Sequence, residues 1–144
     1  MSYSVDANIL LYASDRASPR HAAALRFLEE RPSDPDIFCL AWPTLLAYMR
    51  IATHPRIFAE PLAPAAALDN VEALMRLPRV RAIGESDDFL AVYRDVTSGL
   101  IARGNLVPDA HLATLLRQHG VRRLYTIDAD FRKFRYLEVR DPFA

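Results

Sequence analysis

Four aspartates are placed where they could do chemistry together: Asp6, Asp109, Asp128 and Asp130. Asp6 closes the apolar run YSV and opens ANILLYA. Asp109 lies in NLVPDAHLA, and Asp128 and Asp130 lie in LYTIDADFRKF. Singly, each has an ordinary reading. An aspartate between strand and helix is commonly an N-cap. An acid in a helix's first turn complements the helix dipole. Asp-Ala-Asp is common turn composition. Converging without a neighbouring lysine or arginine, however, such carboxylates repel one another and stay ionised only with a cation among them. Hard oxygen ligands suit Mg²⁺ or Mn²⁺. A site of that kind serves a substrate with anionic oxygens, of which phosphate is the usual one.

The elements that must position these acids alternate along the chain. SYSV reads as a buried strand and ANILLYASD as a short helix. RHAAALRFLEER has helical periodicity, DPDIFCLA is a turn and strand, and WPTLLAYMRIATH is a helix with Pro43 in its first turn. PAAALDNVEALMRL is an amphipathic helix stopped by Pro78, and Val80 to Ile83 is a strand. SDDFLAVYRDVTSGLIAR predicts one long helix with Ser86 as N-cap. PDAHLATLLRQHG predicts a helix from Pro108 to Gly120; RRLYTI and YLEVRD are strands either side of the DADFRKF turn. Such alternation argues for an open α/β sheet, mostly parallel, with helices on both faces. Ligands then bind beyond the carboxyl ends of the strands. If the first and fourth strands are neighbours, Asp6 and Asp128 share one crevice.

The totals exclude more than they assign. A chain of 144 residues, half hydrophobic and a quarter charged, suits one domain spanning 1–144 with a real core. Net charge is zero, so no global field attracts nucleic acid, although a local basic face is still open. Positive charge is seventeen arginines and the single lysine Lys133. Arg122, Arg123, Arg132, Lys133 and Arg135 bracket the DAD turn. A basic rim there could draw a phosphate backbone toward the acids, or be ordinary surface charge. One cysteine, Cys39, excludes an intrachain disulfide and a cysteine zinc cluster. No apolar run is long enough to span a bilayer, and the start MSYSVDAN lacks a basic leader region, so a cytoplasmic protein with no membrane partner is expected. No G-x-x-x-x-G-K or G-x-G-x-x-G fingerprint occurs.

The combination SVDANILLYA, LAYMRIATHPRIF, GNLVPDAHLA and LYTIDADFRKF, in this order and over nearly the whole chain, resembles the PIN-domain ribonucleases, in particular the VapC-type toxins of bacterial toxin–antitoxin pairs. The resemblance implies a three-layer α/β/α sandwich around a mostly parallel sheet. It implies an Mg²⁺-dependent ribonuclease, with Mn²⁺ as an alternative ion. Asp6, Asp109 and Asp128 would be the metal ligands, and Asp130 a further ligand or a group orienting one. Water would cleave the phosphodiester to leave 5′-phosphate and 3′-hydroxyl ends. The implied partners are an RNA substrate, a cognate antitoxin protein whose C-terminal peptide enters the groove near the acids, and a second copy of the chain. Helical segments around Leu25–Leu28 and Leu45–Met49 could supply interfaces.

One departure stands out. The family's second acid, a glutamate near the start of the middle helix, falls on Tyr48 in LLAYMR. A tyrosine hydroxyl stays protonated at neutral pH and ligates a hard cation poorly. Glu85, Asp87 and Asp88 are candidates for an acid from elsewhere. Trp42, Tyr48 and Phe58 are candidates for stacking on bases, with core packing the commoner role. His54 and Arg56 could touch RNA, and His111, His21 and His119 read as structural or peripheral. The rival readings are a phosphotransfer receiver domain, for which an early acidic pair is missing, and a catalytically impaired RNA- or antitoxin-binding module. DNA as substrate also stays open.

Overall fold

The structure is a computed structural model describing residues 1–144. Five strands, β1 (Ser2–Val5), β2 (Ile37–Ala41), β3 (Val80–Ile83), β4 (Arg123–Tyr125) and β5 (Glu138–Arg140), form one sheet in the order β3-β2-β1-β4-β5. Every neighbouring pair is parallel. Six helices connect them: α1 (Ala7–Ser14), α2 (His21–Glu29), α3 (Trp42–Ala52), α4 (Pro64–Met75), α5 (Phe89–Val96) and α6 (Leu106–Gln118).

Side chains alternate across a strand, so each strand feeds two cores. Tyr3, Val5, Phe38 and Leu40 face α1 to α4 and pack with Ile9, Leu10, Leu45 and Val71. Cys39, Ala41, Ile83 and Leu124 face α5 and α6 and pack with Leu115 and Leu116. The result is the expected three-layer α/β/α sandwich. The expected adjacency of the first and fourth strands is also present, with Tyr3 opposite Arg123 and Val5 opposite Tyr125. Strand order runs outward from β1 through β2 to β3, then restarts on the other side with β4. That reversal opens a crevice at the carboxyl ends of β1 and β4, which is where open parallel sheets bind ligands.

Two helices differ from the sequence expectation. The segment 86–103 is helical only over Phe89–Val96. Gly99 adopts φ +78°, a conformation that a glycine takes without a Cβ penalty, and the helix stops before it. Ser86 is not the N-cap. Its amide donates to Gln118 Oε1 at 3.2 Å, and Gln118 Nε2 donates to Asp88 Oδ1 at 2.7 Å, so this loop is tied to α6. Helix α6 starts at Leu106, two residues before Pro108. Proline fits inside a first turn because that turn's amides have no intrahelical acceptor. The consequence is that Asp109 lies within the first turn of α6, facing the N-terminal end of the helix dipole. Strands β4 and β5 are shorter than RRLYTI and YLEVRD suggest.

Leu124 is fully buried at the centre of β4, between β1 and β5. Leu124→Ala is expected to cost about 2–5 kcal/mol in denaturant unfolding. A loss below about 1 kcal/mol would contradict the packing described for this layer.

Candidate active site

The β1–β4 ladder continues one residue past the strands. Asp6 donates its amide to the Tyr125 carbonyl at 3.0 Å, which fixes Asp6 at the top of the crevice. Although it occupies the N-cap position of α1, its side chain makes no capping hydrogen bond. The carboxylate is held instead by the chain's other end: Thr126 Oγ1 donates to Asp6 Oδ2 at 2.8 Å. The same hydroxyl oxygen accepts the Asp128 amide at 3.0 Å. Thr126 is itself buried, and its amide donates to the Arg140 carbonyl at 2.9 Å. One hydroxyl therefore joins the end of β1 to the turn after β4. Beyond it Asp128 Oδ1 accepts the Asp130 amide at 2.9 Å, capping the short 3-10 turn Ala129–Lys133.

Asp109 reaches this turn from α6. One carboxylate oxygen each of Asp109, Asp128 and Asp130 lie within 4.8 Å of one another. Asp6 is outside that trio but electrostatically coupled to it, since its charge raises the pKa of Asp109 and that of Asp128 raises its own. The structure thus brings together all four aspartates singled out by sequence, with Asp130 in the tight group and Asp6 beside it. One cation of the basic rim reaches the cluster: Lys133 Nζ lies 3.4 Å from Asp130 Oδ1. A single half-exposed ammonium opposite four carboxylates leaves most of the negative charge unbalanced.

That imbalance is visible in proton affinity. Burial, followed by the charges of Asp128, Asp6 and Asp130, pushes the Asp109 carboxyl up to about 6, with Lys133 opposing. Burial also raises Asp6, against the lowering effect of the Thr126 hydrogen bond and the nearby Asn8 and Ala7 amides. Charges left uncompensated in a partly buried cluster favour either protons or a bound cation. The donor set is all carboxylate oxygen, which matches a hard divalent ion.

Other candidates fall elsewhere. Tyr48 is buried, and its hydroxyl is bonded to Ser14 Oγ at 2.7 Å and Asn70 Nδ2 at 2.9 Å, not to any acid. Helix α3 carries no carboxylate at all. Glu85 pairs with His111 Nε2 at 2.6 Å, which lowers its pKa, and Asp88 is taken by Gln118; neither joins the trio. Phe58 is buried with Tyr48 in the α1–α4 core, so of the three aromatics only Trp42 is open to a base. His21 and His119 bond to backbone carbonyls of Tyr12 and Gly84.

Comparison with known proteins decides the family. No protein-family model matches the chain. Ribonuclease VapC48 of Mycobacterium tuberculosis is 44% identical over 144 residues, covering 100% of this chain and 99% of its own. The chain belongs to the VapC ribonucleases. These are the toxins of VapBC toxin–antitoxin systems. Solved VapC structures share the fold. VapC20 of M. tuberculosis, a toxin that cleaves the sarcin–ricin loop, aligns with TM-score 0.67 at 21% identity, over 96% of this chain and 99% of its own. VapBC2 of Rickettsia felis, solved bound to a promoter DNA fragment, aligns with TM-score 0.68 at 16% identity, over 97% and 98%.

Within this VapC chain, the residue that sequence reasoning passed over is Thr126. Its signal was present as the T-x-D-x-D-F spacing. Only the strand pairing shows that its hydroxyl reaches across 120 residues to Asp6.

The raised pKa of Asp109 sets a sign. Its folded value of about 6 lies above the unfolded value. Folded protein therefore binds this proton more tightly, and the stabilising contribution, complete below about pH 4, is lost as pH rises through the folded pKa. In EDTA, Asp109→Asn is expected to melt above the parent chain at pH 7.5, with the gap closing toward pH 5. A gap that widens on acidification would contradict the assigned repulsion.

Proposed function

We propose that this VapC ribonuclease cuts RNA phosphodiester bonds with Mg²⁺, or Mn²⁺ in its place, at the aspartate cluster. Asp6, Asp109 and Asp128 are the ligands, and Asp130 contributes a further oxygen or orients Asp128. One observation carries this reading: carboxylate oxygens of Asp109, Asp128 and Asp130 lie within 4.8 Å of one another, and burial, then the neighbouring charges of Asp128, Asp6 and Asp130, raise the proton affinity of Asp109. The bound ion supplies a lowered pKa for water and neutralises charge building on phosphate oxygens.

The chain's own residues do the positioning. Thr126 commits Oδ2 of Asp6, leaving Oδ1 for ligation. The same hydroxyl fixes the start of the Asp128–Asp130 turn, so the acids from two strand ends keep one spacing. Lys133, at the rim, balances part of the charge on Asp130 and attracts the RNA backbone. Hydrolysis by water, with the 2′-hydroxyl uninvolved, gives 5′-phosphate and 3′-hydroxyl ends. RNA as substrate makes the cytoplasm the site of action.

The proposal extends to partners. A cognate antitoxin is supported by the likeness to a VapBC assembly. A cleft of about 370 Å³ between α1, α2 and α4, lined by Leu10, Leu25, Leu28, Leu74 and Leu77, offers it an apolar seat. A homodimer is supported by Trp42, Leu46 and Leu90, three large apolar side chains left exposed on α3 and α5. The impaired-module reading rests on one observation: helix α3 carries no carboxylate, and Tyr48 turns its hydroxyl to Ser14 and Asn70.

The test is cleavage of a structured RNA pool by antitoxin-free protein. Cutting is expected with Mg²⁺, none with EDTA, and none by Asp6→Asn, which keeps an acceptor for Thr126 and should fold normally. Thr126→Val, which removes the link between Asp6 and Asp128, should lose about 10–100-fold in activity. Normal cutting by folded Asp6→Asn would overturn the assignment.

A further inference from the structure

Two segments descend side by side from the acids. Helix α6 begins at the carboxyl edge with Asp109 and ends at the opposite edge, before β4. The turn after β4 begins with Asp128 and Asp130 and runs back down to β5 through Lys133, Phe134, Arg135 and Tyr136. Between them, closed off by the end of α5 and the Ser98–Leu100 turn, is a cavity of about 350 Å³. Its lining includes Arg117 of α6 together with Lys133, Arg135 and Tyr136. Three cations thus face one carboxylate, Asp95.

Lys133 is paired with Asp130, but the arginine charge there is uncommitted. Neither Arg117 nor Arg135 has a carboxylate partner, although Asp95 lines the same cavity. Arg117 is steadied instead by the Tyr136 ring, with its guanidinium carbon 5.8 Å from the ring centroid, and Arg122 lies over the same ring at 4.9 Å. A guanidinium held by an aromatic face keeps its planar fork of donors free for an anionic oxygen. The cavity is within the size range of small-ligand pockets. It adjoins the acids, because Lys133 both lines it and lies 3.4 Å from Asp130. Arg117 is eight residues along α6 from Asp109, or about 12 Å of helix.

We infer that this cavity is a second polynucleotide subsite, in which Arg117, Arg135 and Lys133 hold a phosphate of the RNA strand a few nucleotides from the one at the acids. The inference rests on the ribonuclease reading above and deepens it. The strand enters at the aspartates, passes Lys133 and runs down the groove between α6 and the turn leading to β5. Phosphate capture by arginines there fixes the register of the strand without reading its bases. An acidic protein segment is the other polyanion such a cavity could take, but its link to the cluster through Lys133 favours the strand being cut.

The experiment measures binding, in EDTA, of a fluorescent single-stranded RNA to the full chain by anisotropy across a salt series. Arg117→Gln/Arg135→Gln is expected to bind about ten-fold more weakly, with the salt slope reduced by about 1.4, the loss of two phosphate contacts. Arg26→Gln/Arg76→Gln, which removes equal charge from α2 and the end of α4 on the far face, should bind like the parent. The Arg135 side chain makes no internal hydrogen bond or ion pair, so Arg135→Gln alone leaves folding intact and should show about half the slope change. Parent-like binding by the cavity double variant, or equal loss in both doubles, would overturn the subsite. If the parent chain still cuts RNA with Mg²⁺ in that case, only the subsite fails. If the parent neither binds nor cuts RNA, the ribonuclease reading fails with it.

Discussion

Mutual repulsion among Asp6, Asp109, Asp128 and Asp130 is the constraint on which the rest of this structure depends. Bringing like charges to one partly buried edge works against folding unless something compensates. The chain supplies partial remedies. Asp6 receives the Thr126 hydroxyl, Asp128 receives the Asp130 amide, and Asp130 has Lys133. Asp109 lies in the first turn of α6, where the helix dipole favours negative charge. None of these neutralises the group, and burial together with the charges of Asp128, Asp6 and Asp130 holds the Asp109 carboxyl above its ordinary pKa. The compensation we propose is a divalent cation held by the same carboxylates, which would also serve phosphodiester hydrolysis.

Everything large in the fold can be read as holding that edge. The strand order reverses at β1, so β4 pairs directly with β1 and the two strand ends carrying acids become neighbours. Apolar layers on both faces keep the short strands in place, with Leu124 and Tyr3 among the fully buried side chains. The two cores are unequal in what they leave open. The α1–α4 side presents an apolar cleft, suited to a protein partner. The α5–α6 side presents the arginine-lined cavity beside the acids, suited to a polyanion.

Much of this was legible in the sequence, and the limits have physical causes. The alternation of apolar runs gave the parallel sheet and both helix layers, because a fully buried strand and an amphipathic helix have distinct periods. The four aspartates stand out in the sequence because each follows an apolar strand run or lies at a helix start marked by proline. The extent of α5 was not legible, since helical periodicity runs past Thr97 whereas the helix ends at Val96, three residues before the positive φ of Gly99. Nor was the start of α6, because a proline fits the first helical residue as readily as the inside of the first turn, where Pro108 lies. Thr126 was invisible as a partner of Asp6 because its role depends on pairing between residues 120 positions apart. Tyr48 is the converse case. The family resemblance sets it in the place of an acid, whereas side-chain direction sends its hydroxyl to Ser14 and Asn70.

The most direct test of the account is a titration of the antitoxin-free chain with Mn²⁺ at pH 7.5, followed by calorimetry or by the loss of the free-ion paramagnetic signal. Saturable binding of at least one ion, weakened strongly in Asp109→Asn and competed by Mg²⁺, is the result the cluster predicts. An unperturbed parent chain, or equal binding by parent and variant, would show that the four aspartates are held together for some other reason.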